Sequence, residues 1–156
     1  MRLTQITCAA LAFALLPAPG AIAAANHTVI VGLSPAHDCG RAVEIGRQDA
    51  VSLSKCDLAL ADDFLARDVR AVTLVNRAIL HLRRRESRQA LADMNAAISL
   101  RDALNQEESA RAYFYRANAH EDLGNNRAAY DDYRHAADLN PNWAAPRTEL
   151  TRFQVR

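Results

Sequence analysis

The sequence predicts an all-α fold, a right-handed α-solenoid of antiparallel helix hairpins. Between Ala110 and Trp143, small and aromatic residues recur at helical intervals on both sides of a Leu123-Gly124-Asn125-Asn126 turn, and Asn140-Pro141 closes the segment. The same pattern stands 39 residues earlier. Ala78 matches Ala117, Ala90 matches Ala129, Met94 matches Tyr133, Ala97 matches Ala136 and Leu100 matches Leu139. The repeated positions are mostly small, and small residues are what allow two helix backbones to approach while a larger neighbour fills the gap. One hairpin cannot bury its apolar face alone, so consecutive hairpins must stack.

Taken in order, the first residues are an address rather than a fold. Met1-Arg2 supplies one positive charge, and Ile6–Leu16 is an apolar run shorter than the roughly 20 residues of a membrane span. Pro17, Pro19 and Gly20 then precede the small residues Ala21–Ala25. This is the layout of a bacterial-looking secretory signal peptide over residues 1–25, cut after Ala23 or Ala25 and leading to the periplasm or beyond. About 130 residues remain, enough for one domain.

Residues 26–40 read as an extended N-terminal arm, apolar and β-tending up to the break at Pro35. Residues 41–156 read as the helical domain. Ala50, Leu53, Cys56 (or Asp57) and Leu60 give one apolar face to a helix that fits the second half of an incomplete first unit. After a connector over 61–67, Leu74, Ala78, Ile79 and Leu82 face inward from the next helix. Ser87 is expected to cap the helix that carries Ala90, Met94, Ala97 and Ile98. An extra loop over Asn105–Ser109 separates two units of about 71–104 and 110–143. Residues Trp143–Phe153 form a closing helix, with Ala145, Leu150 and Phe153 covering the last hairpin.

Charge and cysteine content narrow the function. The chain has 19 Lys+Arg and 18 Asp+Glu, so loss of Arg2 leaves 18 of each. Nucleic acid and anionic membrane reward a strong basic excess, and neither is expected as a partner. Cys39 and Cys56 are an even pair in an exported domain, most simply a disulfide that clips the arm to the first helix. Sixteen residues lie between them, unlike the CxxC of a catalytic dithiol, and His37-Asp38-Cys39 lacks the second ligand pair of a zinc site.

The spaced residues just named resemble the tetratricopeptide repeat, closely in the second hairpin and moderately in the first. Tyr113 stands where that family usually has Trp, and Pro141 at its terminator. The chain departs from the pattern at Arg85, in a turn slot usually Gly, at Asp102, which replaces the terminating Pro, and at Arg77 and Arg116, in slots usually apolar. The resemblance implies a concave groove lined by the first helix of each hairpin, which receives an extended peptide or a partner helix. Carried onto this chain, the wall would hold Val72, Val75, Asn76, Ile79, Leu82 and Arg83 from the first hairpin. Arg111, Phe114, Tyr115, Asn118, Glu121 and Asp122 would come from the second. One subgroup clamps a peptide's terminal carboxylate with Asn and basic groups; Asn76 and Arg111 fit two of those slots, and Tyr115 replaces a basic residue.

Other chemistry has little to stand on. Arg83-Arg84-Arg85 with Arg88 reads as a solvated cluster complementing a helix end, or as a dock for an acidic partner. His81 and His120 fall in equivalent slots, too few for a metal site. No Ser/His/Asp arrangement, phosphate-cradling glycine loop or HExxH run is present, and five glycines leave little for flexible catalytic loops. No catalytic residue, cofactor or metal is expected. The expected function is a non-catalytic protein-interaction module of the periplasm, the alternative being an assembly subunit that self-associates through its solenoid ends.

Overall fold

The computed structural model describes residues 34–153; the signal peptide expected over 1–25, and the expected arm up to residue 33, lie outside the described residues. Among the described residues there are seven helices, six of them in consecutive antiparallel pairs: α1 (Pro35–Glu44) with α2 (Ala50–Leu60), α3 (Arg67–Arg83) with α4 (Ser87–Ser99), and α5 (Gln106–Asp122) with α6 (Asn126–Leu139). A closing helix, α7 (Ala144–Phe153), lies against α6. Each second helix packs on the first helix of the next pair, and α1, α3 and α5 neighbour one another in turn. No helix among the described residues is long and apolar enough to cross a membrane.

The extended arm is corrected from Pro35 onward. Pro35 starts a helix rather than breaking a strand, because a proline at the first helical position lacks an N–H that would be unpaired there anyway. Ser34 caps that helix by accepting from the His37 N–H. The unit that looked half missing is therefore a complete, short hairpin. Asp49 caps α2, accepting from the Ser52 N–H at 2.9 Å and the Ser52 hydroxyl at 3.0 Å, and the Ser52 N–H holds its carboxyl below the usual range.

Two further boundaries move. The loop expected over Asn105–Ser109 is instead the start of α5. Asn105 and Glu108 form a reciprocal capping box, and the true connector is the 3₁₀ turn Arg101–Ala103 before it. Ser87 is the first residue of α4 and not its cap; its hydroxyl donates instead to Asp122 at 2.7 Å, tying the second hairpin to the third.

The repeated alanines lie where the backbones meet. Ala78, Ala90, Ala97, Ala117, Ala129 and Ala136 are all fully buried, with Met94 and Tyr133 filling equivalent gaps. At the N-terminal end Cys39 and Cys56 are joined by a disulfide and are also fully buried. At the C-terminal end Trp143, Ala145, Leu150 and Phe153 cover the core of the last hairpin, with Trp143 4.6 Å from the Phe114 ring.

Candidate partner-binding surface

The sequence-predicted wall divides between two clefts and the core. The larger cleft, about 740 Å³, opens between α1, α3 and α5, and Asn76 and Arg111 belong to it. Gly40 lets α1 come close here: a Cβ added to it would stand 3.4 Å from the Asn76 amide nitrogen. Asn76 is only 7% exposed, yet its carboxamide makes no hydrogen bond to another described residue. The residue lines the cleft, and no described side-chain polar atom is both sealed from solvent and unpartnered. Charges of both signs surround it, with Glu44, Asp68 and Glu108 against Arg41 and Arg111.

The second cleft, about 510 Å³, lies between α3, α5 and α7 and takes in Ile79, Arg83, Tyr115, Asn118 and Asp122. Most of its polar groups already have partners among the described residues. Tyr133 donates its hydroxyl to Asn118 at 2.6 Å and to Glu121 at 3.0 Å, and Glu121 also accepts from Arg152 at 2.9 Å. Asp122 holds Ser87. Arg83 donates to the carbonyls of Val43 at 2.9 Å and Arg47 at 3.1 Å, and Arg84 to that of Gln48 at 3.1 Å. Arg83 and Arg84 thus brace the α1–α2 turn, bonding two carbonyls of the turn itself and that of Val43, which also accepts from the Gly46 N–H.

Three expectations change. Phe114 does not stand on a groove wall: it is 8% exposed and packs against Tyr115, Tyr133 and Trp143, where an aromatic ring removes most area from water. Ile79, at 2% exposure, offers only an edge to its cleft. Tyr115 lies in a different cleft from Asn76 and Arg111, so the three do not converge as a carboxylate clamp.

Sequence reasoning missed one recurring element. Arg77 closes bidentately on Asp93, Nε to Oδ2 at 2.8 Å and Nη2 to Oδ1 at 2.6 Å, and reaches Asp57 of the preceding hairpin at 2.8 Å. Arg116 repeats this on Asp132, both bonds 2.7 Å, and reaches Asn95 at 3.0 Å. Each guanidinium thus joins its own hairpin and the one before it. The signal was in the sequence, because both residues of each pair recur at the 39-residue offset. The arginines alone read as departures from an apolar slot. The two histidines also have local partners, His81 with Glu86 at 2.7 Å and His120 with Asn125 at 3.5 Å. Burial pushes the His120 pKa down.

Comparison with curated proteins found no match. Comparison with protein families matched residues 110–143, the α5–α6 hairpin and the turn after it, to the tetratricopeptide repeat. Those residues have the form of a unit that, in general, builds scaffolds for protein–protein interaction.

Proposed function

We propose that this protein is an exported, non-catalytic interaction module that takes an extended segment of a partner protein into the cleft between α1, α3 and α5. The observation that carries the reading is Asn76. A nearly buried carboxamide with no hydrogen bond to another described residue supplies a donor and an acceptor at the cleft floor, the pair needed to hold a peptide backbone. Arg111, Glu108 and Asp68 stand around it to select the partner's charges. The second cleft is the weaker receptor, because a ligand there would have to displace hydrogen bonds already made. The disulfide supports an oxidising compartment such as the periplasm.

The test is capture from a periplasmic extract, followed by hydrogen exchange on the captured complex. The wild-type chain is expected to retain a partner that protects amides of α1, α3 and α5. Asn76→Ala and Arg111→Ala should lose it with little change in melting temperature. Capture that survives both substitutions, or protection confined to α7, would refute the reading.

A further inference from the structure

Among the described residues five large apolar side chains stand exposed, and four belong to the first hairpin and the loop leaving it: Ile45 at 60%, Val51 at 65%, Leu58 at 59% and Phe64 at 96%. Such a concentration on one small region marks a contact surface rather than the scattered exposure of an ordinary exterior. Helix α2 is apolar on two sides. Ser52, Cys56 and Ala59 face the core, while Val51 and Leu58, two turns apart, lie on the outer side with Ser54 and Lys55 between them.

The exposed residues are arranged symmetrically. Val51 and Leu58 are equally far in sequence from the midpoint between Ser54 and Lys55, and so are Ile45 and Phe64. Asp62 and Asp63 precede Phe64, whereas the shallow hollow around Ile45 and Val51 is edged by Arg41, Arg47 and Lys55 against one carboxylate, Asp38. Lys55 lies 3.8 Å from Asp38 and Arg47 3.5 Å from Asp49, both long and partly exposed pairs. The Phe64 loop is held in shape: the Phe64 N–H donates to the Asp62 carboxylate at 2.9 Å, and Arg70 donates to the Leu60 carbonyl at 3.0 Å and to the Asp62 carbonyl.

We propose that the chain forms a two-fold dimer in which the α2 helices of two copies pack antiparallel. A two-fold axis between Ser54 and Lys55 sets Val51 of each copy on Leu58 of the other. It also brings Phe64 of each copy over the hollow at Ile45 of the other, where the Asp62-Asp63 carboxylates meet Arg41 and Arg47. A surface that is its own complement under a two-fold rotation is what a closed, isologous dimer requires, and a fixed, fully exposed aromatic is the common anchor of such contacts. Helix α2 contributes nothing to the lining of the α1/α3/α5 cleft, which shares only Arg41 with the dimer contact, so the dimer would present two open clefts and gain avidity for a partner with repeated segments.

Sedimentation equilibrium of the full chain tests this, with melting temperature as the control for folding. A concentration-dependent dimer is expected. Leu58→Asp and Phe64→Ser should each raise its dissociation constant about 30-fold or more, the size of a hot-spot loss, with melting of the diluted protein unchanged. Ser54→Cys should give a covalent dimer on mild oxidation, and Arg88→Cys on α4 should not. Asp63→Arg should weaken the dimer and Asp63→Arg with Arg47→Asp should recover it. A chain that stays monomeric at every concentration overturns the proposal. So does a dimer indifferent to Leu58→Asp, or one that Ser54→Cys does not link.

Discussion

In the first hairpin a covalent bond, Cys39–Cys56, joins the two helices, and the ion pair between them, Lys55–Asp38 at 3.8 Å, is long and solvent-exposed. In the second and third hairpins the same task falls to a guanidinium clamped on a carboxylate, Arg77 on Asp93 and Arg116 on Asp132, with the carboxylates almost buried. Helix length explains the difference. The first pair has 10 and 11 residues against 17 and 13 in the second and 17 and 14 in the third, and no hairpin precedes it among the described residues. A shorter hairpin buries less apolar area, and among the described residues this one has no earlier neighbour to share an arginine with. A cross-link that restricts the unfolded chain makes up the deficit. What repeats along this solenoid is a fastening between paired helices, and its chemistry is free to change.

Removing one member of a clamp should have the largest effect. Arg77→Ala leaves Asp93 desolvated with its bidentate partner gone, and a loss of about 3 kcal/mol is expected, on the order of 10 °C in thermal melting. Arg116→Ala should cost as much. Equal losses would show that the clamps are equivalent, and a double variant worse than additive would show that the hairpins share them. A negligible effect at either site would break the comparison.

Reducing the disulfide, or replacing both cysteines by alanine, should cost about 3 kcal/mol or somewhat less. Hydrogen exchange should place the new opening in residues 35–60 and leave α5 and α6 protected. Uniform loss of protection across the chain would mean that the first hairpin is not separately fastened.

Next in size is the residue that fills the hairpin core. Met94 and Tyr133 occupy equivalent gaps, but only the tyrosine bonds to the first helix of its own pair, through Asn118 and Glu121. Tyr133→Phe should cost about 1.5 kcal/mol at neutral pH. Burial, followed by the neighbouring Glu121, holds this phenol protonated well above its ordinary value of 10.0. A folded-state pKa above the unfolded one stabilises fully below about pH 10 and is lost as pH climbs past it. The melting gap between wild type and Tyr133→Phe should therefore narrow in alkali, and a constant gap would argue against the buried hydroxyl.

The smallest expected effect lies in the turns. Arg85 sits at φ 63° and Gly124, its equivalent, at φ 77°. The first turn carries a left-handed strain that the second avoids, so Arg85→Gly should stabilise by up to about 1 kcal/mol and Gly124→Ala should destabilise by about the same. Denaturant midpoints resolve both, and a neutral Arg85→Gly would mean that its side chain contributes something the backbone hides.

Much of the candidate surface was legible and part was not. Asn76 and Arg111 were identifiable from the repeat and do share one cleft. Phe114 was misplaced because an aromatic on a first helix satisfies either a groove or a core, and only the packing of Trp143, from the far end of the unit, decides for the core. The arginine clamps escaped notice because one residue of each pair, read alone, looks like a mismatch.

Periodicity by itself determined the helices of the second and third pairs, the alanines at their contacts and the closing helix, because these depend on spacing along one chain. Tertiary structure alone decided which polar groups are already engaged and which remain open to a partner. That distinction rests on distances between side chains far apart in sequence, such as Arg83 with Val43 and Ser87 with Asp122, and no local pattern carries it.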